Sequence, residues 1–203
     1  MENTTQLTFK KGETIFKEGQ RMDNMYMVDK GRVKVYANYS KDVEVVIRFA
    51  TDGQTLGHRG LGDDNIFPVT AEALTETTVN ILPLSVFNDL LKNNYEFCYY
   101  FMLFFAEELR RTERRKKNLL KMTVKQRVAG AIKLNAEAFG FEKDDPTLLS
   151  YTASRKDISS LANTTYESTV RSLSELQSDK ILKIEGKKIR VVDQDKLYEL
   201  VAC

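Results

Sequence analysis

The chain holds one histidine, two cysteines and no apolar run of bilayer length, and each shortage removes a class of function. Cys98 and Cys203 cannot form a disulfide framework or a four-cysteine metal site within one chain. His58 alone cannot supply the converging ligands that metal-dependent enzymes on small β-barrels require. Without a second histidine no nucleophile–base pair is visible, and no phosphate-cradling P-loop motif occurs. The densest apolar stretch, FCYYFMLFFAEEL at 97–109, is too short for a membrane span and ends in charge. The first residues, MENTTQLTFKKGE, lack the apolar core of a signal peptide. The expectation is a cytoplasmic protein that is not an enzyme, with no metal and no membrane attachment.

What is present is an ordinary globular composition, 42% hydrophobic and 30% charged over 203 residues, with charge unevenly placed. Residues 1–109 carry eleven basic against sixteen acidic side chains, and residues 110–203 carry twenty against thirteen. A basic end joined to an acidic one points to a polyanionic partner, although RRTERRKK at 110–117 supplies much of the excess and could be a solvated helix face.

Residues 7–85 read as short strands with glycine-marked turns, the pattern of a small antiparallel barrel or jelly roll. MYMVDKGRVKVY at 25–36 reads as a hairpin around Lys30-Gly31, and TAEALTETTVNILP at 70–83 continues the strand pattern. The period then lengthens, and 95–121 reads as one helix with Phe97, Phe101, Phe104, Phe105 and Leu109 crowding one side. So long a stripe needs cover, either from the barrel or from a second copy of the helix across a twofold axis. TVKQRVAGAIKLNAEAF at 123–139 is a further amphipathic helix, and 140–150 reads as a loop.

Residues 152–193 read helix, tight turn, helix and hairpin, the last around Glu185-Gly186. Ser154 with Asp157, and Thr164 with Glu167, match the helix-starting capping box. This order is a winged helix-turn-helix, whose second helix enters the major groove. Alone, Glu167 and Arg171 are a surface ion pair at i,i+4. On a recognition helix, Glu167 suits a cytosine amino group and Arg171 the O6 and N7 of guanine. Ser154, Arg155, Lys156, Thr164, Thr165 and Ser168 suit phosphates, as do Lys187 and Lys188 at the wing tip.

These features together resemble the cyclic-AMP receptor protein / fumarate-nitrate reduction regulator (Crp/Fnr) family of bacterial transcription factors over nearly the whole chain. GETIFKEGQRMDNMYMVDKGRVKVY at 12–36 resembles the family's opening β-roll, and Glu167-x-x-x-Arg171 its recognition-helix pattern. The resemblance implies an α+β chain: a cyclic-nucleotide-binding-like β-roll at 1–94, a dimerisation helix at 95–121 and a winged helix-turn-helix at 122–203. It implies a homodimer on double-stranded DNA at a twofold-symmetric promoter site, with RNA polymerase as a further partner. Tyr166 stands where the cyclic-AMP receptor carries another arginine, which leaves the outer half-site open.

In the cyclic-AMP-binding branch a Gly-Glu and a later Arg-Ser hold the ribose and phosphate. Here Gly57 stands, but His58 replaces the glutamate and Phe67-Pro68 fall where Arg-Ser belongs. Arg59 lies nearby, and Thr112 matches a threonine of the dimer helix that reaches the nucleobase in that branch. Gly57, His58, Arg59, Phe67, Pro68 and Thr112 are thus the candidate effector pocket, with cyclic AMP not expected to occupy it. The family's iron–sulfur branch needs four cysteine ligands, which two cysteines exclude. His58 reads as a surface or hydrogen-bonding histidine and Cys98 as inert core. The competing reading is a small-ligand module whose C-terminal domain serves protein contacts rather than DNA.

Overall fold

The computed structural model describes residues 5–40 and 43–202; Cys203 lies outside them. Contacts divide the chain into two compact units, 1–115 and 116–203.

In the first unit the strands are β1 (Thr5–Phe9), β2 (Thr14–Phe16), β3 (Asn24–Lys30), β4 (Arg32–Ser40), β5 (Val43–Thr51), β6 (Thr55–Leu56), β7 (Thr70–Ala73) and β8 (Thr77–Pro83). They form two four-stranded antiparallel sheets, β1-β8-β3-β6 and β2-β7-β4-β5. Val28 and Val79 from one sheet, and Val33, Val35 and Ala71 from the other, turn their apolar sides into a shared core with Phe16, Leu56 and Phe67.

The expected hairpin at Lys30-Gly31 is absent. β3 pairs with β8 and β6, whereas β4 pairs with β5 and β7. Gly31 is where the chain crosses between sheets. Its φ is +130°, and a Cβ there would lie 2.4 Å from Thr77 Oγ1 and 2.7 Å from Thr77 Cα. Only glycine tolerates that backbone angle and approach. The stretch at 70–83 likewise splits, β7 to one sheet and β8 to the other.

Helix α1 (Leu84–Asn93) follows, then α2 (Tyr95–Lys121). α2 carries two apolar stripes. Phe97 and Phe101 pack on the roll core, where both meet Phe87 of α1 edge-on, and Phe104 stands edge-on to His58. These three rings, expected among the dimer-helix residues, therefore pack on their own roll. The second stripe is Cys98, Met102, Phe105, Leu109 and Thr112, spaced four, three, four and three residues apart. Its first four members, Phe105 and Leu109 among them, are exposed.

The second unit opens with α3 (Val124–Phe139), started by a complete capping box between Thr123 and Gln126. The expected loop at 140–150 is instead two strands, β9 (Phe141–Glu142) and β10 (Asp145–Leu149). α4 (Arg155–Leu161) and α5 (Tyr166–Ser178) pack on α3, followed by β11 (Leu182–Glu185), β12 (Lys188–Val191) and α6 (Gln194–Leu200). The sheet of this unit, the third described, runs β11-β12-β10-β9. Ile132, Ile158, Leu173, Leu176, Leu182, Ile189 and Leu197 are its buried core.

Candidate nucleic-acid interface and effector domain

α4 begins at the cap Ser154, whose Oγ accepts from the Asp157 amide at 3.0 Å and donates to Asp157 Oδ2 at 2.6 Å. That hydroxyl proton is engaged within the helix start, so Ser154 is a cap before it is a phosphate donor. The turn closes through Asn163, a non-glycine at φ +47°, whose carbonyl accepts from Arg127 Nη1 at 2.8 Å. The cap of α5 is Thr165, one residue later than expected, and its Oγ1 accepts from the Ser168 amide at 3.1 Å. Glu167 therefore takes no part in the capping.

The back of α5 is Thr169, Ser172, Leu173 and Leu176, all buried, and this fixes the helix's rotation. The opposite face presents Tyr166, Glu167, Val170, Arg171 and Ser174, all exposed. No ion pair joins Glu167 to Arg171 among the described residues. The i,i+4 surface pair thus gives no account of them. Val170 and Ser174 went unremarked in the sequence. Their spacing of three and seven from Glu167 is the signal that places them on the same face.

The wing is a true hairpin. Glu185 pairs with Lys188 across a loop containing Gly186 at φ +61°, which puts Lys187 and Lys188 at an exposed tip. Arg155 Nη2 donates to the Gly186 carbonyl at 3.3 Å, so this residue ties the wing tip to α4. Burial lowers the Arg155 pKa. Behind the tip, Arg190 bonds Asp145 and Glu185, and it holds the Asp145 carboxyl at about 2. Thr164 and Lys156 flank this surface, Thr164 half-buried and Lys156 exposed.

In the first unit the six candidate effector residues fall into three kinds of surroundings. Gly57, at φ +90°, has the Phe67 ring where its Cβ would be, 3.2 Å away. Phe67 stacks on Phe16 with centroids 4.1 Å apart and fills the roll. The space left beside Gly57, His58, Arg59 and Arg48 is about 10 Å³, room for roughly one water. A cyclic nucleotide does not fit it. Pro68 is exposed, and the Thr112 hydroxyl donates to the Glu108 carbonyl within α2 at 2.9 Å.

His58 is buried, which removes the surface half of the expectation, and Glu108 lies just beyond ordinary hydrogen-bond length from its Nε2. Burial pushes its pKa below the ordinary 6.5, with the Glu108 carboxylate opposing. The partner that the sequence reading missed is Glu108. Its Oε2 lies 3.0 Å from Arg59 Nη2 and 3.6 Å from His58 Nε2. Its carboxyl is held at about 2, first by His58 and then, against its burial, by Arg48 and Arg59. Cys98 is exposed on α2, not in the core.

Residues 6–94 match the cyclic nucleotide-binding domain family and residues 126–200 the Crp-like helix-turn-helix domain. The chain belongs to the Crp/Fnr family. It is 27% identical over 187 residues to the transcriptional activator protein FnrA of Stutzerimonas stutzeri, covering 91% of this chain and 75% of that one. It is 25% identical over 190 residues to the fumarate and nitrate reduction regulatory protein of Escherichia coli K12, covering 94% and 76%. FixK2 of Bradyrhizobium japonicum shares the fold with a TM-score of 0.85, at 24% identity over 98% of both chains. The c-di-GMP responsive regulator CLP of Xanthomonas campestris shares it with a TM-score of 0.79, at 19% identity over 95% and 96%. Crp/Fnr membership makes this chain a helix-turn-helix DNA-binding transcription regulator and does not favour a ligand module with an idle C-terminal domain.

Proposed function

We propose that this Crp/Fnr regulator acts as a homodimer, reading a twofold-symmetric promoter site without control by cyclic AMP. The observation that carries the reading is α5. Its buried back leaves Glu167, Val170 and Arg171 side by side on the exposed face, unpaired with one another. Tyr166 would reach the outer half-site. Arg155, Lys156, Thr164, Thr165, Ser168, Lys187 and Lys188 would position the duplex through its phosphates, contacts that orient without specifying sequence. Ser154 would support them as the cap of α4.

Dimerisation falls to the second stripe of α2. The alternating four and three spacing of Cys98, Met102, Phe105, Leu109 and Thr112 is that of a coiled-coil seam, which a second copy can cover symmetrically. Two recognition helices so joined would enter successive major grooves about 34 Å apart. Work at a promoter makes RNA polymerase the further partner. Among the described residues no helix is long and apolar enough to cross a membrane, and the cytoplasm, where promoters are, is the proposed location.

The test is selection from a random duplex pool with purified protein and no added ligand. Enrichment of a palindrome with half-sites about one helical turn apart is the expected result. Enrichment of a single unrepeated site would remove the dimer, and no enrichment with or without nucleotide would remove the reading.

A further inference from the structure

The turn at 57–60, strand β5 and helix α2 are joined by direct side-chain and backbone contacts. The roll interior is already filled by Phe16 and Phe67, with about 10 Å³ left beside the turn. From the turn, Arg59 reaches Glu108 at 3.0 Å, and His58 stands 3.6 Å from the same oxygen. From β5, the Val46 carbonyl accepts from Arg115 Nη2 at 2.9 Å, and the Ile47 carbonyl accepts from Nη1. Glu108 and Arg115 lie on the face of α2 that carries Phe97, Phe101 and Phe104 into the roll. Apolar rings and charges thus seat one helix face together.

Such a seat has only one register. Sliding α2 by a single residue, about 1.5 Å along its axis, takes Glu108 off Arg59 and Arg115 off both carbonyls. Glu108 would then be a largely buried carboxylate parted from Arg59, the costly condition. A ligand that repositioned the helix would have to break these contacts.

We infer that the Arg59–Glu108–His58 cluster, with the bonds from Arg115 of α2 to β5, is a built-in clamp. It holds α2 seated on the roll without an effector and stands in place of the bound nucleotide. The consequence for DNA rests on the regulator reading above. The seating itself does not.

The experiment uses the full-length protein in two arms. In the first, duplex affinity and melting temperature are measured with and without millimolar cyclic AMP or cyclic GMP. Affinity unchanged within about twofold and an unmoved melting temperature support the clamp. A tightening of about tenfold, or a melting rise, overturns it. In the second arm Glu108→Gln and Arg59→Met are compared with wild type by amide hydrogen exchange across 97–115 and by duplex affinity. Faster exchange in that segment, with about tenfold weaker DNA binding, is expected. Wild-type exchange in both variants overturns the clamp. Arg59 is 30% exposed at its side chain, so its variant reads the contact even if Glu108→Gln does not fold. If wild type binds no duplex at all, the DNA reading falls while the exchange arm still decides the clamp.

Discussion

Two pairs of opposite charge set the two units apart. In the first, Glu108 and Arg59 meet at 3.0 Å with the carboxylate largely buried, and their charges cancel inside the protein. In the second, Glu167 and Arg171 sit one turn apart on α5, both exposed and not joined. The first pair is spent on holding an element in place. The second is left open, and an open pair on a rigid helix is what a partner with its own donors and acceptors can use. The same residue types therefore do opposite work, and burial decides which.

The comparison breaks most visibly if the buried pair is opened. Glu108→Gln leaves Arg59 and Arg48 without their carboxylate and should destabilise the first unit by about 3 kcal/mol, read from urea unfolding. Glu167→Gln should change stability by less than about 0.5 kcal/mol, because nothing internal depends on it. Equal effects at the two sites would erase the distinction.

Next in size is the start of α5. Thr165→Ala removes the acceptor for the Ser168 amide and should cost about 1 kcal/mol, whereas Thr164→Ala should cost a few tenths. The ranking tests where the recognition helix begins.

Acid sharpens the contrast between the units. His58 has a folded pKa below 6.5 because burial opposes its charge, among Glu108, Arg48, Arg59 and the rings of Phe104 and Phe105. The unfolded chain therefore binds more protons as pH falls through 6.5, and this contribution to stability is full above 6.5 and lost below it. Glu108, held at about 2 from an ordinary 4.5, adds stability that is present above 4.5 and lost toward 2. Unfolding of the first unit should ease from pH 6.5 downward, and His58→Phe should remove the part that sets in just below 6.5. A wild-type profile in that variant would assign the slope elsewhere.

The smallest effect belongs to the wing. Lys188→Ala should weaken binding to all duplexes alike and reduce the salt slope by about 1, without touching sequence preference.

How far the sequence disclosed these features depends on whether the deciding contact is local. α5 was legible because its helical period, its cap and its Glu-x-x-x-Arg spacing are all local; only the choice between adjacent Thr164 and Thr165 was missed, since either side chain can cap. Glycine at the Glu185 loop did mark a hairpin, but the same signal at Gly31 marked a crossing between sheets. A positive φ serves both, and the partner strand of β3 lies some fifty residues away in β8. Phe97, Phe101 and Phe104 were visible as a stripe, yet which body they face is a tertiary fact. Glu108 was within reach. It continues the spacing 97, 101, 104, 108 at a place where an apolar residue would be expected, and a charge on an inward face asks for a buried partner.

The most direct measurement of the central claim, that α5 is a reading surface, is duplex affinity of wild type and Arg171→Ala across a panel with every base substituted in turn. The account predicts a loss of about 1–3 kcal/mol for the variant on the preferred site and a flattened preference at one base pair per half-site. A uniform loss with every base preference intact would make Arg171 a phosphate contact and contradict it.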